Sequence, residues 1–195
     1  LKRSKAQQKE DTTKKLKAIA LQMFAEQGYA AVAMEDMIKQ VGMTRGAIYH
    51  HFGSKEGLFR AVLDDIQQEI AERILNESGK TTDLWEQLLK GCYAFLSASL
   101  EREIQQIMLI DAPAVLGWNV WRALDEKYSM SLLLELLTEM REQQMIRPLS
   151  VDSLTHLLSG AMNEAALWIA SAPEKEKALE EAFASFTALV EGIKR

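Results

Sequence analysis

The chain has 195 residues, 48% hydrophobic and 26% charged, with a formal net charge of -5, a globular composition that excludes disordered, collagen-like and disulfide-stapled classes. A single cysteine, Cys92, leaves no partner for an intrachain disulfide, and the polar, basic first 17 residues do not read as a signal peptide, so a cytoplasmic protein is expected. The charge is unevenly spread: residues 1–60 carry eleven basic side chains against six acidic ones, and seven of the basic ones lie within the first 17 residues, an asymmetry that suggests either a cation-rich end meeting a polyanion or a solvated basic tail.

The elements follow in chain order. Leu16, Ile19, Ala20, Met23 and Phe24 form a stripe along one helix face, and Gly28 supplies a stop. A short second helix is predicted from about Met34 to Val41, with Met37, Ile38 and Val41 inward, ended by Gly42. Thr44 can cap a third, running to about His50 with Ala47 and Ile48 inward. Ser54 caps a longer fourth, in which Leu58, Val62, Ile66, Ile70 and Ile74 keep a four-residue spacing. After the polar break at residues 76–80, Asp83 with Glu86 opens a fifth like a capping box. A sixth covers roughly Glu103 to Ile110, and Asp111 and Pro113 read as the cap and first turn of a seventh that continues to about Met145. Two final helices run from about Val151 to Ala170 and from about Pro173 to Ile193. No run alternates like a strand, and Gln105, Gln106, Asp111 and Pro113 interrupt the most apolar stretch, so no membrane span is predicted. The expectation is an all-α chain of about nine helices: residues 1–60 as a basic tail and three-helix lobe, and residues 61–195 as a larger helical lobe.

A helix, then two short helices joined by a tight glycine turn, has the spacing of a helix-turn-helix, whose second helix lies in the DNA major groove. Residues at that helix's N-terminus reach base edges while flanking groups hold phosphate. Thr44, Arg45 and Gly46 occupy this N-terminus, and Tyr49 and His50 can donate from the next turn. The runs Phe24-Ala25-Glu26-Gln27-Gly28-Tyr29, Gly42-Met43-Thr44-Arg45-Gly46-Ala47-Ile48-Tyr49-His50-His51-Phe52 and Ser54-Lys55-Glu56-Gly57-Leu58 resemble the TetR family of transcriptional regulators over residues 12–60. The resemblance implies a homodimeric all-α repressor with a DNA-binding lobe and an effector-binding, dimerisation lobe. It implies base approach by Thr44, Arg45 and Gly46, and phosphate contact by Tyr49, His50 and Lys55. Two positions depart from the family pattern: Ala31-Val32-Ala33-Met34 lacks the usual Ser or Thr cap on the second helix, and Lys17 stands where an apolar residue is usual. His50 and His51 point about 100° apart with no third ligand near, so neither a metal nor another cofactor is expected.

In the larger lobe Phe95, Met108, Trp118, Trp121, Arg122, Met162 and Asn163 are candidates to line an effector pocket, with core packing the competing role for each aromatic. Tyr128, Asn119 and Glu164 are lesser candidates, and Asp111 reads as a cap. His156 and Asn163, seven apart on one face, read either as a satisfied core pair or as a pocket feature. Leu154, Leu157, Leu158, Ala161, Ala165 and Trp168 on one final helix, and Phe183, Phe186, Leu189, Val190 and Ile193 on the other, can complete the core or build a two-fold interface; the resemblance favours the interface. No phosphate loop, nucleophile elbow or metal-ligand spacing marks an enzyme. The expected function is a repressor on a pseudo-palindromic operator, released by a small, largely apolar or aromatic ligand; an activator or a ligand-independent regulator is the alternative.

Overall fold

The computed structural model describes residues 5–42 and 44–195. The basic side chains of Lys2, Arg3, Lys5 and Lys9, and the inward placement of Ala47, lie outside what is described. Among the described residues the chain is all-helical: α1 Lys5–Gln27, α2 Met34–Val41, α3 Arg45–Phe52, α4 Lys55–Ser78, α5 Leu84–Ala98, a π-helix Ile104–Asp111, α6 Ala112–Leu116, α7 Trp118–Lys127, α8 Ser129–Glu142, α9 Val151–Ser171 and α10 Lys175–Glu191. The N-terminal basic stretch is helical from Lys5, its lysines, glutamines and glutamate being adequate helix formers.

The expected nine helices become ten α-helices and a π-helix. The long seventh helix breaks twice, at Gly117 (φ 79°, ψ 157°) and at Tyr128 (φ -114°, ψ -92°), neither of which is helical backbone. Asp111 does not cap a restart. Its own backbone is helical, the π-helix runs directly into α6, and its carboxylate accepts from the Tyr29 N–H at 2.7 Å. The predicted caps at Ser54 and Asp83 do form, the first accepting from Gly57 N–H at 3.0 Å and the second from Glu86 N–H at 2.8 Å. In place of the reciprocal capping-box bond, the Glu86 carboxylate takes the Thr81 hydroxyl at 2.5 Å.

One continuous core joins all the layers. Phe24, Tyr29 and Phe59 stack edge and face within 5.7 Å, fastening α1 and the turn after it onto α4. Three further ties fix that turn. Arg102 donates to the Glu26 carbonyl at 3.1 Å, Lys55 donates to the Tyr29 carbonyl, and Asp111 accepts from Tyr29 as above. Helix α4 is unbroken for 24 residues and packs most extensively on α5, so it carries the N-terminal helices rigidly into the rest of the molecule. The apolar residues of α9 divide between two faces. Leu154, Leu158, Met162 and Ile169 are buried, while Leu157 (69%) and Trp168 (46%) are exposed, as is Leu189 (65%) on α10.

Candidate nucleic-acid interface and effector cavity

Helix α2 starts after Ala33, which offers no side-chain cap; Glu35 and Asp36 in the first turn complement the helix dipole instead. It ends at Gly42 in the left-handed region (φ 71°), where a side chain would strain the backbone, and the chain turns at once into α3. Thr44, Arg45 and Gly46 stand exposed at the start of α3, and nothing lies within 4 Å of where a Gly46 Cβ would be. Ile48, on the opposite side, is fully buried and anchors the helix. Arg45 lies 3.7 Å from Glu35 and 5.3 Å over the Tyr49 ring. Both charges of that pair are well exposed, so it is weak enough to be exchanged for a stronger partner. His50 is exposed and Tyr49 half-buried.

Lys55 is placed differently from the phosphate role that the family resemblance implies. Its ammonium donates to the Tyr29 carbonyl and sits 4.2 Å from the Tyr29 ring centroid, and burial pushes its pKa down against the raising influence of Asp111. In this conformation it ties the α1–α2 turn with one of its three N–H donors.

In the larger lobe a cavity of about 250 Å³ opens between α4, α5, α7, α8 and α9. Phe95 and Met162 line it, together with apolar residues such as Leu88, Cys92, Met130 and Leu133. Burial raises the Cys92 thiol to about 12, so it acts there as a small apolar group. The other sequence-predicted ligand residues lie outside the lining, each for a visible reason. The Trp121 indole N–H is held by the Met108 carbonyl at 2.9 Å, which buries both residues. Trp118 packs on Trp121 at 4.9 Å between ring centroids but is 62% exposed. Arg122 and Asn163 act one layer back, by holding Asp125, which does line the cavity.

Asp125 is the residue that sequence reasoning missed. It is 2% exposed, and its Oδ2 accepts from Arg122 Nη1 (2.7 Å), Ser159 Oγ (3.1 Å) and Asn163 Nδ2 (3.2 Å). Burial nevertheless raises its pKa above the ordinary carboxylate range, opposing the lowering by Arg122 and the two hydrogen bonds. Ser159 and Asn163, four apart on α9, were the available signal, since they place two small polar side chains on one otherwise apolar face. His156 continues that polar row but is exposed, its Nδ1 3.3 Å from Arg122 Nη2.

Comparison with known proteins agrees with this architecture. The family described as bacterial regulatory proteins, tetR family, matches residues 18–62. The tetracyclin repressor-like C-terminal domain matches residues 85–193, more than half of the chain. A TetR-family transcriptional regulator from Pectobacterium atrosepticum is 35% identical, with 98% of each chain covered and a TM-score of 0.82. The structure of RolR in complex with resorcinol aligns over 95% of this chain and 90% of that one at 20% identity and a TM-score of 0.73, a likeness of fold. The transcriptional repressor AcnR of Corynebacterium glutamicum is 40% identical over 60 residues, 31% of each protein. With a helix-turn-helix match at one end and a C-terminal domain match across the rest, this chain belongs to the TetR family of transcriptional regulators.

Proposed function

We propose that the protein is a repressor that binds a pseudo-palindromic operator as a homodimer and leaves it when a small, largely apolar ligand fills the cavity among α4, α5, α7, α8 and α9. The observation that carries this reading is the start of α3: three exposed residues, Thr44, Arg45 and Gly46, on a helix anchored from behind by buried Ile48. A major groove about 12 Å wide admits one such helix. In this reading Thr44, Arg45 and Gly46 approach bases, and Tyr49, His50 and Lys55 hold phosphate. Residues 1–60 form the DNA-binding unit and residues 61–195 the effector and dimer unit, with α4 crossing between them.

Dimerisation through α9 and α10 is supported by the exposure of Leu157, Trp168 and Leu189. Gly160, in mid-helix on the outer face of α9, has nothing within 4 Å of an added Cβ. A mid-helix glycine costs about 0.5–1 kcal/mol, a cost that the close approach of a second helix offsets. The AcnR and RolR relatives support repression and a one-ring ligand by analogy. The ligand acts as an effector and not as a substrate, and the protein works on cytoplasmic DNA; no helix among the described residues is long and apolar enough to cross a membrane.

Selection from random duplexes tests the DNA half. The expected result is an enriched, roughly palindromic site with half-sites about one or more helical turns apart. Recovery of no enriched site at moderate salt overturns the proposal.

A further inference from the structure

The chemistry of the cavity wall narrows the class of ligand. Three of the lining residues are carboxylates, Asp125 deep in the wall and the exposed Glu135 and Glu139 one turn apart on α8, and no lysine or arginine lines it. Three of the neutral polar groups there have a donor engaged elsewhere, while the Ser129 hydroxyl is without a partner. Ser78 Oγ donates to the Leu75 carbonyl, Gln87 Nε2 to the Thr81 carbonyl, and Ser159 Oγ to Asp125. Ser159 Oγ also accepts from Arg122 Nη1 at 3.0 Å. Two buried atoms of this region lack any partner, Ser129 Oγ in the lining and Asn163 Oδ1 beside Asp125. The three donors that reach Asp125 converge on Oδ2, which leaves Oδ1 to accept.

The charges point the same way. Arg122 stands behind the lining with carboxylates on both sides, Asp125 at 2.7 Å and Glu126 at 3.8 Å. One guanidinium against two carboxylates leaves that cluster a negative charge in excess before Glu135 and Glu139 are counted. An anionic ligand would meet three carboxylates and no lysine or arginine in the lining, and a buried charge without a partner is strongly disfavoured. A cation with N–H donors meets both needs at once.

We infer that the effector is a small apolar amine bound as its ammonium ion, its N–H groups donated to Asp125 Oδ1 and Ser129 Oγ and its hydrocarbon body laid among Leu88, Phe95, Met130 and Met162. The volume of the cavity, equal to that of roughly eight liquid waters at about 30 Å³ each, suits one ring and a short chain. This rests on the cavity being the effector site.

The test uses the full chain and four compounds of one shape at matched ionic strength: phenethylamine, phenethyl alcohol, phenylpropionate and propylbenzene. Thermal shift and calorimetry run to about 10 mM where solubility allows, since fragments of this size bind in the millimolar range. Phenethylamine is expected to raise the unfolding midpoint and to bind at least tenfold more tightly than the alcohol, with no shift from phenylpropionate. The double variant Glu135→Gln/Glu139→Gln, altered only at exposed positions, is expected to weaken the amine several-fold and leave the alcohol unchanged. Equal binding of alcohol and amine, tighter binding of phenylpropionate, or an unchanged amine affinity in the double variant overturns the cationic assignment while the cavity stands as the effector site. Failure of all four compounds to bind overturns the effector reading and this inference with it.

Discussion

Asp125 and Arg122 show how one pair of residues serves both stability and the cavity. Asp125 is buried and its pKa is raised by that burial, so its ionised form is tolerated only because Arg122, Ser159 and Asn163 reach it. Arg122→Ala leaves the carboxylate buried without its cation, and the expected cost near neutral pH is about 3–5 kcal/mol. The sign of the pH dependence follows from the raised pKa. The folded state binds a proton that the unfolded chain has already released, so stability falls as pH rises from the unfolded pKa through the folded one. Without Arg122 the folded pKa rises further, so the deficit of the variant shrinks as pH is lowered from neutral toward the carboxylate range. Urea unfolding at several pH values measures this; a deficit that does not change with pH contradicts it. The residue was hidden in the sequence because an aspartate three after an arginine reads as a surface helix pair. Its burial is decided by Ser159 and Asn163, more than thirty positions away.

Helices with a strong stripe were legible from spacing alone. Met37 and Val41 of α2, and Leu58 and Val62 of α4, are buried as their periodicity requires. The break at Tyr128 was not legible, because the apolar pattern runs on through it; Gly117, at positive φ (79°) like the stops at Gly28 and Gly42, carried a local signal that the apolar residues on either side masked. The π-helix was equally silent, since a register of five instead of four leaves no mark on composition. Two glycines at the DNA-reading end make opposite predictions. A Cβ on Gly57 would stand 2.0 Å from the Phe52 carbonyl oxygen, so α3 and α4 cannot keep their junction. Gly57→Ala should lose about 1–3 kcal/mol or more of stability, together with operator affinity. Gly46 has open space around it, so Gly46→Ala should gain up to about 1 kcal/mol in thermal unfolding while weakening operator binding, because in the proposed interface the new methyl group stands between helix and bases. A Gly46→Ala protein with unchanged DNA affinity would remove that position from the interface.

For the whole molecule, the net charge of -5 hid a basic end and an acidic remainder. The family was legible because the short helices of the DNA-reading end are pinned by turn glycines at fixed spacing. The cavity was not, because its walls come from five helices, α4, α5, α7, α8 and α9, spread from Ile74 to Met162. On the proposed dimer through α9 and α10, Gly160→Phe should convert dimer to monomer in analytical ultracentrifugation with helix content retained, and operator affinity should fall with it, since two half-sites then bind independently. Association unaffected by this substitution moves the interface elsewhere. Deleting residues 1–4, which removes Lys2 and Arg3, should flatten the dependence of log affinity on log salt by up to about 0.9 for each phosphate no longer neutralised, with little change in the preferred sequence.

The Trp121 indole N–H donates to the carbonyl of Met108 in the π-helix, three residues before Asp111, which fastens the turn that leads to α2. Its ring neighbour Trp118 faces solvent. Nature has thus placed an optical gauge on the segment between the cavity and the DNA-reading end. A shift of the π-helix that breaks the indole bond wets Trp121 and moves its emission to longer wavelength, and Trp118→Phe together with Trp168→Phe removes the two exposed indoles from the background. Occupancy of the cavity can then be followed in real time, without a label and before the operator is known.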